Sequence, residues 1–60
     1  MYDFDSELFD LYGNDVRIYG NDNGKTFMDY DDFNNNERKT REFPSEEKAY
    51  IWAYKYGYRE

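Results

Sequence analysis

Carboxylates are the main groups in this 60-residue chain that could do chemistry, because the sequence contains no histidine and no cysteine. Without those residue types there is no ordinary zinc site, disulfide or imidazole base. Ser6 and Ser45 are placed to cap helices rather than to act as nucleophiles. Two catalytic carboxylates would need to converge in a cleft, and so short a chain has too little mass to enclose one. We therefore expect no enzymatic activity and no cofactor.

The stretch YGNDNGKTFMDYDD, residues 19–32, has the acid and amide composition of a calcium-binding loop. An EF-hand loop needs oxygen ligands at its first positions, glycine at the sixth and glutamate at the twelfth. With Gly24 as the sixth residue, Tyr19 becomes the first and Tyr30 the twelfth. Neither ring supplies the required carboxylate, so we expect a turn between two strands and no metal site.

Three carboxylates near the end of this stretch offer a further metal hypothesis. Asp29, Asp31 and Asp32 are hard oxygen ligands of the kind that Mg²⁺ prefers. Aspartates beside a run of asparagines are also typical of turns, where their side chains bond to nearby backbone N–H groups. The sequence favours a solvated acidic turn over a magnesium site.

Two strands are predicted on either side of the asparagine-glycine turn. DVRIYG alternates apolar Val16 and Ile18 with Arg17 and Tyr19, which is the period of a strand. KTFMDY follows, and we expect its Phe27 to share the apolar face of the first strand. The Asn-Gly pair between them is a strong hairpin signal, because both residues tolerate positive φ.

Helices are predicted at both ends of the chain. Near the start, Phe4, Leu8, Leu11 and Tyr12 lie at helical spacing, which predicts a short helix over residues 6–12 that ends at Gly13. Near the end, Ser45 is a favourable N-cap and Gly57 supplies a left-handed stop, which predicts a helix over 46–56. The aromatic residues of that segment fall on alternate positions, as in a strand, but the capping signals favour a helix.

The fold class is predicted to be α+β, in a single domain covering residues 1–60. We expect a short N-terminal helix, a two- to three-stranded antiparallel sheet with its hairpin at 15–30, and a C-terminal helix packed on the sheet. The secondary structure of segment 29–43 is the hardest to predict. One helical turn around Tyr30 and Phe33 is an option for it, and RKTREF could supply the third strand.

Charge is distributed unevenly along the chain, whose net charge is −6. Residues 1–32 carry nine acids and two bases, a net of −7, whereas residues 33–60 carry five acids and six bases, a net of +1. The acidic half should repel phosphates, so direct binding of nucleic acid is not expected. A basic protein surface is the better electrostatic match.

In its length, acidity, aromatic and asparagine content and lack of cysteine, the chain resembles the small accessory proteins of bacteriophages. These include anti-CRISPR proteins and other DNA-mimic inhibitors. The resemblance is one of type and assigns no site residue. It implies a stoichiometric inhibitor that binds a host defence complex, often at the surface meant for target DNA. The segment ERKTRE departs from the composition of a uniformly acidic mimic.

We therefore expect a non-enzymatic inhibitor of a nucleic-acid-binding complex, such as a CRISPR effector, in which carboxylates stand in for phosphates. Carboxylates two residues apart on a strand lie about 6.6 Å from one another, comparable to phosphates along a backbone. Tyrosine rings would stand in for bases. The predicted partner-binding residues are four acids and two rings: Asp22, Asp29, Asp31, Asp32, Tyr19 and Tyr30.

The alternative is a protein-protein interaction module, either a homodimer or an antitoxin-like protein, that uses the aromatic C-terminal helix. Its predicted contact residues are Trp52, Tyr54 and Tyr58, and its binding should persist at high salt because apolar burial is little screened. A fragment stable only within a larger assembly is a third hypothesis. No apolar run has the length of a membrane span, and the first ten residues lack the pattern of a signal peptide. We expect a cytoplasmic location in a host cell.

Overall fold

The computed structural model describes residues 4–20 and 23–60. In chain order these residues form four strands and one helix: β1 (Asp5–Phe9), β2 (Asp15–Gly20), β3 (Thr26–Asp32), β4 (Glu37–Phe43) and α1 (Glu46–Lys55). Each strand pairs antiparallel with the next, so the sheet has the order β1-β2-β3-β4. The helix crosses one face of the sheet and packs against β2, β3 and β4.

The prediction of an N-terminal helix is wrong, because residues 5–9 form the edge strand β1. Residues four apart share a face in a helix and also in a strand, so the spacing of Phe4 and Leu8 fits both. The sheet resolves the ambiguity by pairing Leu8 with Val16 and burying both side chains. A helix of about seven residues has little stability of its own, whereas the strand gains a full ladder of hydrogen bonds with β2.

The core lies between the sheet and the helix. Alternate residues of the strands point toward α1 and bury their apolar side chains there, in keeping with the period of two in a strand. The buried set consists of Leu8, Val16, Ile18, Met28, Phe43, Ala49, Ala53 and Tyr58. The two alanines let the helix approach the sheet closely, because they add little bulk at the contact.

The predicted hairpin is present, but the position expected for Phe27 is wrong. β2 and β3 pair antiparallel, with Ile18 opposite Met28 and Tyr19 opposite Phe27. Phe27 therefore lies on the face that the helix leaves uncovered, and its ring stacks on Tyr19 at a centroid distance of 5.8 Å. Met28, which is fully buried, occupies the core position that was predicted for Phe27.

The segment 29–43 contains more strand than expected, so the sheet has four strands rather than two or three. β3 continues to Asp32, Tyr30 is a strand residue, and Phe33 lies in the turn rather than in a helical turn. Asn36 closes that turn with a φ of 55°, a conformation that asparagine tolerates better than most residues. β4 then runs from Glu37 to Phe43 along the far edge of the sheet.

The C-terminal helix begins and ends with the predicted capping residues. The Ser45 side chain accepts a hydrogen bond from the Lys48 N–H at 3.2 Å, which satisfies a free donor of the first turn. Gly57 has a φ of 90°, and the Tyr58 N–H turns back to the Ala53 carbonyl at 3.0 Å. This turn directs the Tyr58 side chain into the core.

The last residues of the chain return to β1. Arg59 and Phe9 exchange both backbone hydrogen bonds, at 2.7 and 2.8 Å, so that the C-terminal segment extends the sheet by one bridge. The helix cap and this bridge together tie the chain end to the edge strand. Within residues 4–20 and 23–60, no helix has the length and apolarity needed to cross a bilayer.

Candidate protein-binding site

One face of the sheet is covered by no described helix or strand, and we call it the open face. Its residues alternate with the buried ones along each strand and meet one another across the ladder. Six carboxylates and two guanidiniums lie on it, which leaves an excess of four negative charges: Asp5, Glu7, Asp15, Asp29, Asp31 and Glu42, with Arg17 and Arg38.

The two arginines fix three of these carboxylates in place. Arg17 binds Asp5 with two parallel hydrogen bonds, Nε to Oδ1 at 2.9 Å and Nη2 to Oδ2 at 2.6 Å. Arg38 lies within 3.2 Å of both Asp15 and Asp31, and so bridges β2 and β3 from the edge strand. Exposed pairs of this kind contribute little to stability, and their main effect here is to orient carboxylates on the surface.

The remaining acids of the open face form no ion pair within 4 Å with another described residue, although Arg17 lies opposite Asp29 in the ladder. Asp29 accepts hydrogen bonds from neutral groups, the Thr40 hydroxyl at 2.7 Å and the Tyr19 hydroxyl at 3.2 Å. For Glu7 and Glu42, no ion pair or side-chain hydrogen bond is present within the described part of the chain. These three carboxylates therefore keep their charge available to a partner.

Tyr19 and Phe27 form an aromatic pair in the middle of this acidic surface. Burial raises the pKa of Tyr19, and the neighbouring Asp29 carboxylate raises it further. The hydroxyl therefore stays protonated and donates to Asp29. The Arg17 guanidinium lies 5.0 Å from the centre of the Tyr19 ring, a cation-π distance.

The structure divides the predicted partner-binding residues between two faces. Asp29, Asp31 and Tyr19 lie together on the open face, whereas Asp32 and Tyr30 point to the side of the sheet that carries the helix. Consecutive residues of a strand point to opposite faces, so Asp31 and Asp32 cannot act on one flat partner surface together. Asp22 lies outside the described residues.

A second feature is a cleft of about 340 Å³ at the end of the sheet where the β1–β2 and β3–β4 turns meet the end of the helix. We call it the aromatic cleft, since five rings line it: Tyr30, Phe33, Trp52, Tyr56 and Tyr58. Trp52 lies between two of them, 5.5 Å from Tyr30 and 4.5 Å from Tyr56 between ring centroids.

Three carboxylates, Asp10, Asp31 and Asp32, line the same cleft. Asp10 accepts hydrogen bonds from two backbone N–H groups, those of Tyr12 at 2.9 Å and Asn14 at 2.8 Å. These contacts hold the β1–β2 turn in one shape and lower the pKa of Asp10, with the Asn14 side chain as the largest cause. Asp31 belongs to the open face as well, so the cleft and the open face are continuous.

Leu11 and Tyr12 were predicted to lie in a helix, but they lie in the β1–β2 turn. They are the most exposed large apolar side chains among the described residues. Leu11 is 98% exposed and Tyr12 is 89% exposed. They project from a turn that Asp10 fixes, and Asp10 itself lines the aromatic cleft. Their apolar type within an otherwise polar turn is the sequence signal that could have identified them.

The residues predicted for the alternative helix interface occupy three different environments. Trp52 is half-buried against Tyr30 and Phe43. Tyr54 is 41% exposed, with the Arg59 guanidinium 5.1 Å from its ring centre. Tyr58 is only 5% exposed and belongs to the core, so it offers little surface to a partner.

Asp32 is expected to make the stability of the fold pH-dependent. Hydrogen bonds from Lys39 and Asn35 lower the pKa of Asp32 from 3.8 to about 2. The carboxylate therefore stabilises the fold above about pH 4 and loses that contribution as the pH falls through about 2. In urea unfolding, we expect the wild-type midpoint to exceed that of Asp32→Asn near pH 6 and to converge with it near pH 2.

A midpoint difference that stays constant over that pH range would contradict this role of Asp32. Glu47→Gln is the matched control, because Glu47 is exposed on the helix and takes part in no ion pair between described residues.

Among residues 4–20 and 23–60, no three or more His, Cys, Asp or Glu side chains are arranged so that they could hold a metal ion. The acids of the open face instead alternate with arginines, tyrosine and threonine, a pattern suited to contact with another macromolecule. Comparison of the chain with protein-family models, with curated proteins and with solved structures finds no match.

Proposed function

We propose that this protein is a non-enzymatic, stoichiometric inhibitor that binds the basic, nucleic-acid-binding surface of another protein with the open face of its sheet. The observation that carries the proposal is the uncovered sheet face with six carboxylates and two guanidiniums. A host defence complex such as a CRISPR effector, in the cytoplasm of a host cell, is the proposed class of target. Nucleic acid itself is not a proposed ligand, because its phosphates would meet like charge.

The layout of the open face supports imitation of a nucleic-acid strand. Asp29 and Asp31 are two residues apart on β3, which places them about 6.6 Å apart, comparable to successive phosphates. The stacked Tyr19 and Phe27 rings offer flat apolar surface beside them, as bases do next to a backbone. Arg17 and Arg38 hold neighbouring carboxylates in fixed positions, so a partner loses little side-chain freedom on binding them.

A charge-matched pair of variants tests the proposal. The open-face variant combines Glu7→Gln, Asp29→Asn and Glu42→Gln, which removes three negative charges without cutting an ion pair between described residues. The control combines Glu37→Gln, Glu47→Gln and Glu60→Gln, which removes the same charge elsewhere and cuts the 3.8 Å contact between Lys39 Nζ and Glu37 Oε2. All three proteins are immobilised and exposed to nuclease-treated bacterial lysate, and retained proteins are quantified by mass spectrometry.

We expect wild type and control to retain the same nucleic-acid-binding proteins, and the open-face variant to retain them roughly tenfold less. Each exposed charge contact contributes up to about 1 kcal/mol, and about 1.4 kcal/mol corresponds to a tenfold change in affinity. Equal retention by all three proteins would contradict the proposal.

A protein-protein interaction module is the second candidate function, and the exposure of Leu11 and Tyr12 favours it. Their turn is held by Asp10 and contains Gly13, whose φ is 85°, so both side chains project from a fixed backbone. Such preorganised apolar groups are typical anchors of protein interfaces. A partner that stays bound at high salt, and that the open-face variant retains as well as wild type, would favour this function.

A further inference from the structure

The aromatic cleft has aromatic walls and an acidic side. Its walls are aromatic, with Trp52 between Tyr30 and Tyr56, and its acidic side contains Asp10, Asp31 and Asp32. Among the described residues that line it, none is a lysine or an arginine. Lys39 and Arg38 bond to Asp32 and Asp31 without lining the cleft.

Acidic groups act on the Tyr58 hydroxyl at the wall of the cleft. Burial raises the pKa of the Tyr58 hydroxyl, and the charges of Asp10 and Asp31 raise it further against the smaller opposing effect of Arg38. The same field would attract a cation placed in the cleft. The Tyr30, Trp52 and Tyr56 rings add the negative faces of their π-systems, which attract cations within about 6 Å of a ring centre.

We propose that the aromatic cleft binds the guanidinium group of an arginine side chain presented by the partner. The inference rests on the proposed function, since a nucleic-acid-binding surface is rich in arginine. A planar guanidinium can stack on Trp52 or Tyr56 while its N–H groups bond to a carboxylate such as Asp31. An ammonium group lacks this planar shape, so the cleft should prefer arginine to lysine.

The cleft is continuous with the open face, so a partner bound to the open face can also contact the cleft. Asp31 is part of the open face, pairs with Arg38, and lines the cleft. A basic partner that lies across the open face therefore reaches the cleft at this end of β3. Tyr56 is 56% exposed and forms an accessible wall on the far side.

The test uses the single tryptophan of the chain, Trp52, as a reporter within the cleft. The indole N–H signal of Trp52 is followed by ¹H–¹⁵N NMR while the capped peptide Gly-Arg-Gly is added to the full chain. Parallel titrations use the same peptide with citrulline, a neutral isostere, or with lysine. We expect a saturable shift with the arginine peptide, a weaker response to lysine and none to citrulline.

Two tyrosine variants separate the cleft from the rest of the helix. Tyr56→Ala removes a wall of the cleft and should lower the affinity for the arginine peptide about threefold to tenfold, as expected for the loss of one cation-π contact. Tyr54→Ala is the matched control, because Tyr54 lies on the same helix, packs against Tyr50 and does not line the cleft. It should leave the affinity unchanged.

The inference is overturned by any of three results: no saturable shift of Trp52, a response to citrulline or lysine as strong as that to arginine, or an equal loss in the two tyrosine variants. The titration needs no natural partner. If the arginine peptide does not bind while the open-face variant still loses its lysate partners, the arginine site is overturned and the proposed function stands. Conversely, binding of the arginine peptide together with equal lysate retention by all proteins would overturn the proposed function alone.

Discussion

Replacing Ile18 with alanine is expected to lower the free energy of unfolding by about 2–5 kcal/mol. Ile18 lies on β2, inside the sheet, and is fully buried between Ser6 and Met28 on the neighbouring strands. Removing its side chain leaves a cavity that close-packed neighbours fill only in part. Domains of this size have total stabilities of roughly 3–9 kcal/mol, so the variant should lose a large fraction of its stability.

The matched control is Ile51→Ala, the same substitution at an exposed position of the helix. It should change the stability by no more than about 0.5 kcal/mol. Urea unfolding followed by the fluorescence of Trp52 measures both variants. Equal losses for Ile18→Ala and Ile51→Ala would contradict the assignment of the helix-facing side of the sheet as the core.

Replacing Tyr58 with alanine should lower the free energy of unfolding by about 3–5 kcal/mol, a loss similar to that for Ile18→Ala. The effect is large although Tyr58 follows α1 and is third from the end of the described chain. Its ring is part of the core, and its N–H completes the helix cap on Ala53. The neighbouring Arg59 pairs with Phe9, so loss of the ring also loosens the attachment of the chain end to β1. Tyr58 therefore belongs to the core, and it also lines one side of the aromatic cleft.

Tyr12→Ala is the control for Tyr58→Ala, since Tyr12 is almost fully exposed. We expect its unfolding midpoint to stay at the wild-type value, because surface substitutions away from special features usually change stability by less than about 0.5 kcal/mol. Thermal and urea unfolding of both variants measure the difference. A wild-type midpoint for Tyr58→Ala would show that its ring is not a structural element.

Local signals were sufficient for the C-terminal helix. Ser45 satisfies an N–H of the first turn and Gly57 adopts the left-handed conformation at the end, and both effects act within a few residues of the chain. The alternating rings of the segment do not reflect a strand. Tyr50 and Trp52 pack against the core, while Tyr54 and Tyr56 are exposed.

The first strand could not be identified from local signals, because residues four apart share a face in a helix and also in a strand. Only the pairing of Leu8 with Val16, across the turn, selects the strand. Ser6 faces the core side of the sheet and is accommodated by a hydrogen bond from the Tyr50 hydroxyl at 2.7 Å, a contact across 44 positions of sequence. Contacts of this kind depend on the tertiary structure and leave no local pattern.

The residue types of the candidate site could be predicted from the sequence, but the positions of its side chains on the sheet could not. The excess of acids in the first half of the chain is visible in the sequence, and most of the open-face carboxylates come from it. Their division between faces depends on how far β3 extends. Because the strand continues through Asp32, this residue turns to the helix side and pairs with Lys39, while Asp31 lies on the open face.

Displacement of a bound partner by double-stranded DNA distinguishes a partner held at its nucleic-acid-binding surface from one held elsewhere. The measurement uses a protein that wild type captures from nuclease-treated lysate and that the open-face variant does not retain. The complex is challenged with increasing DNA, with uncharged dextran as the control polymer, and separately with a salt gradient. If the open face occupies a nucleic-acid-binding surface, DNA and moderate salt should both release the partner, because they compete for the same charges. A partner that remains bound at saturating DNA and at high salt would contradict the account.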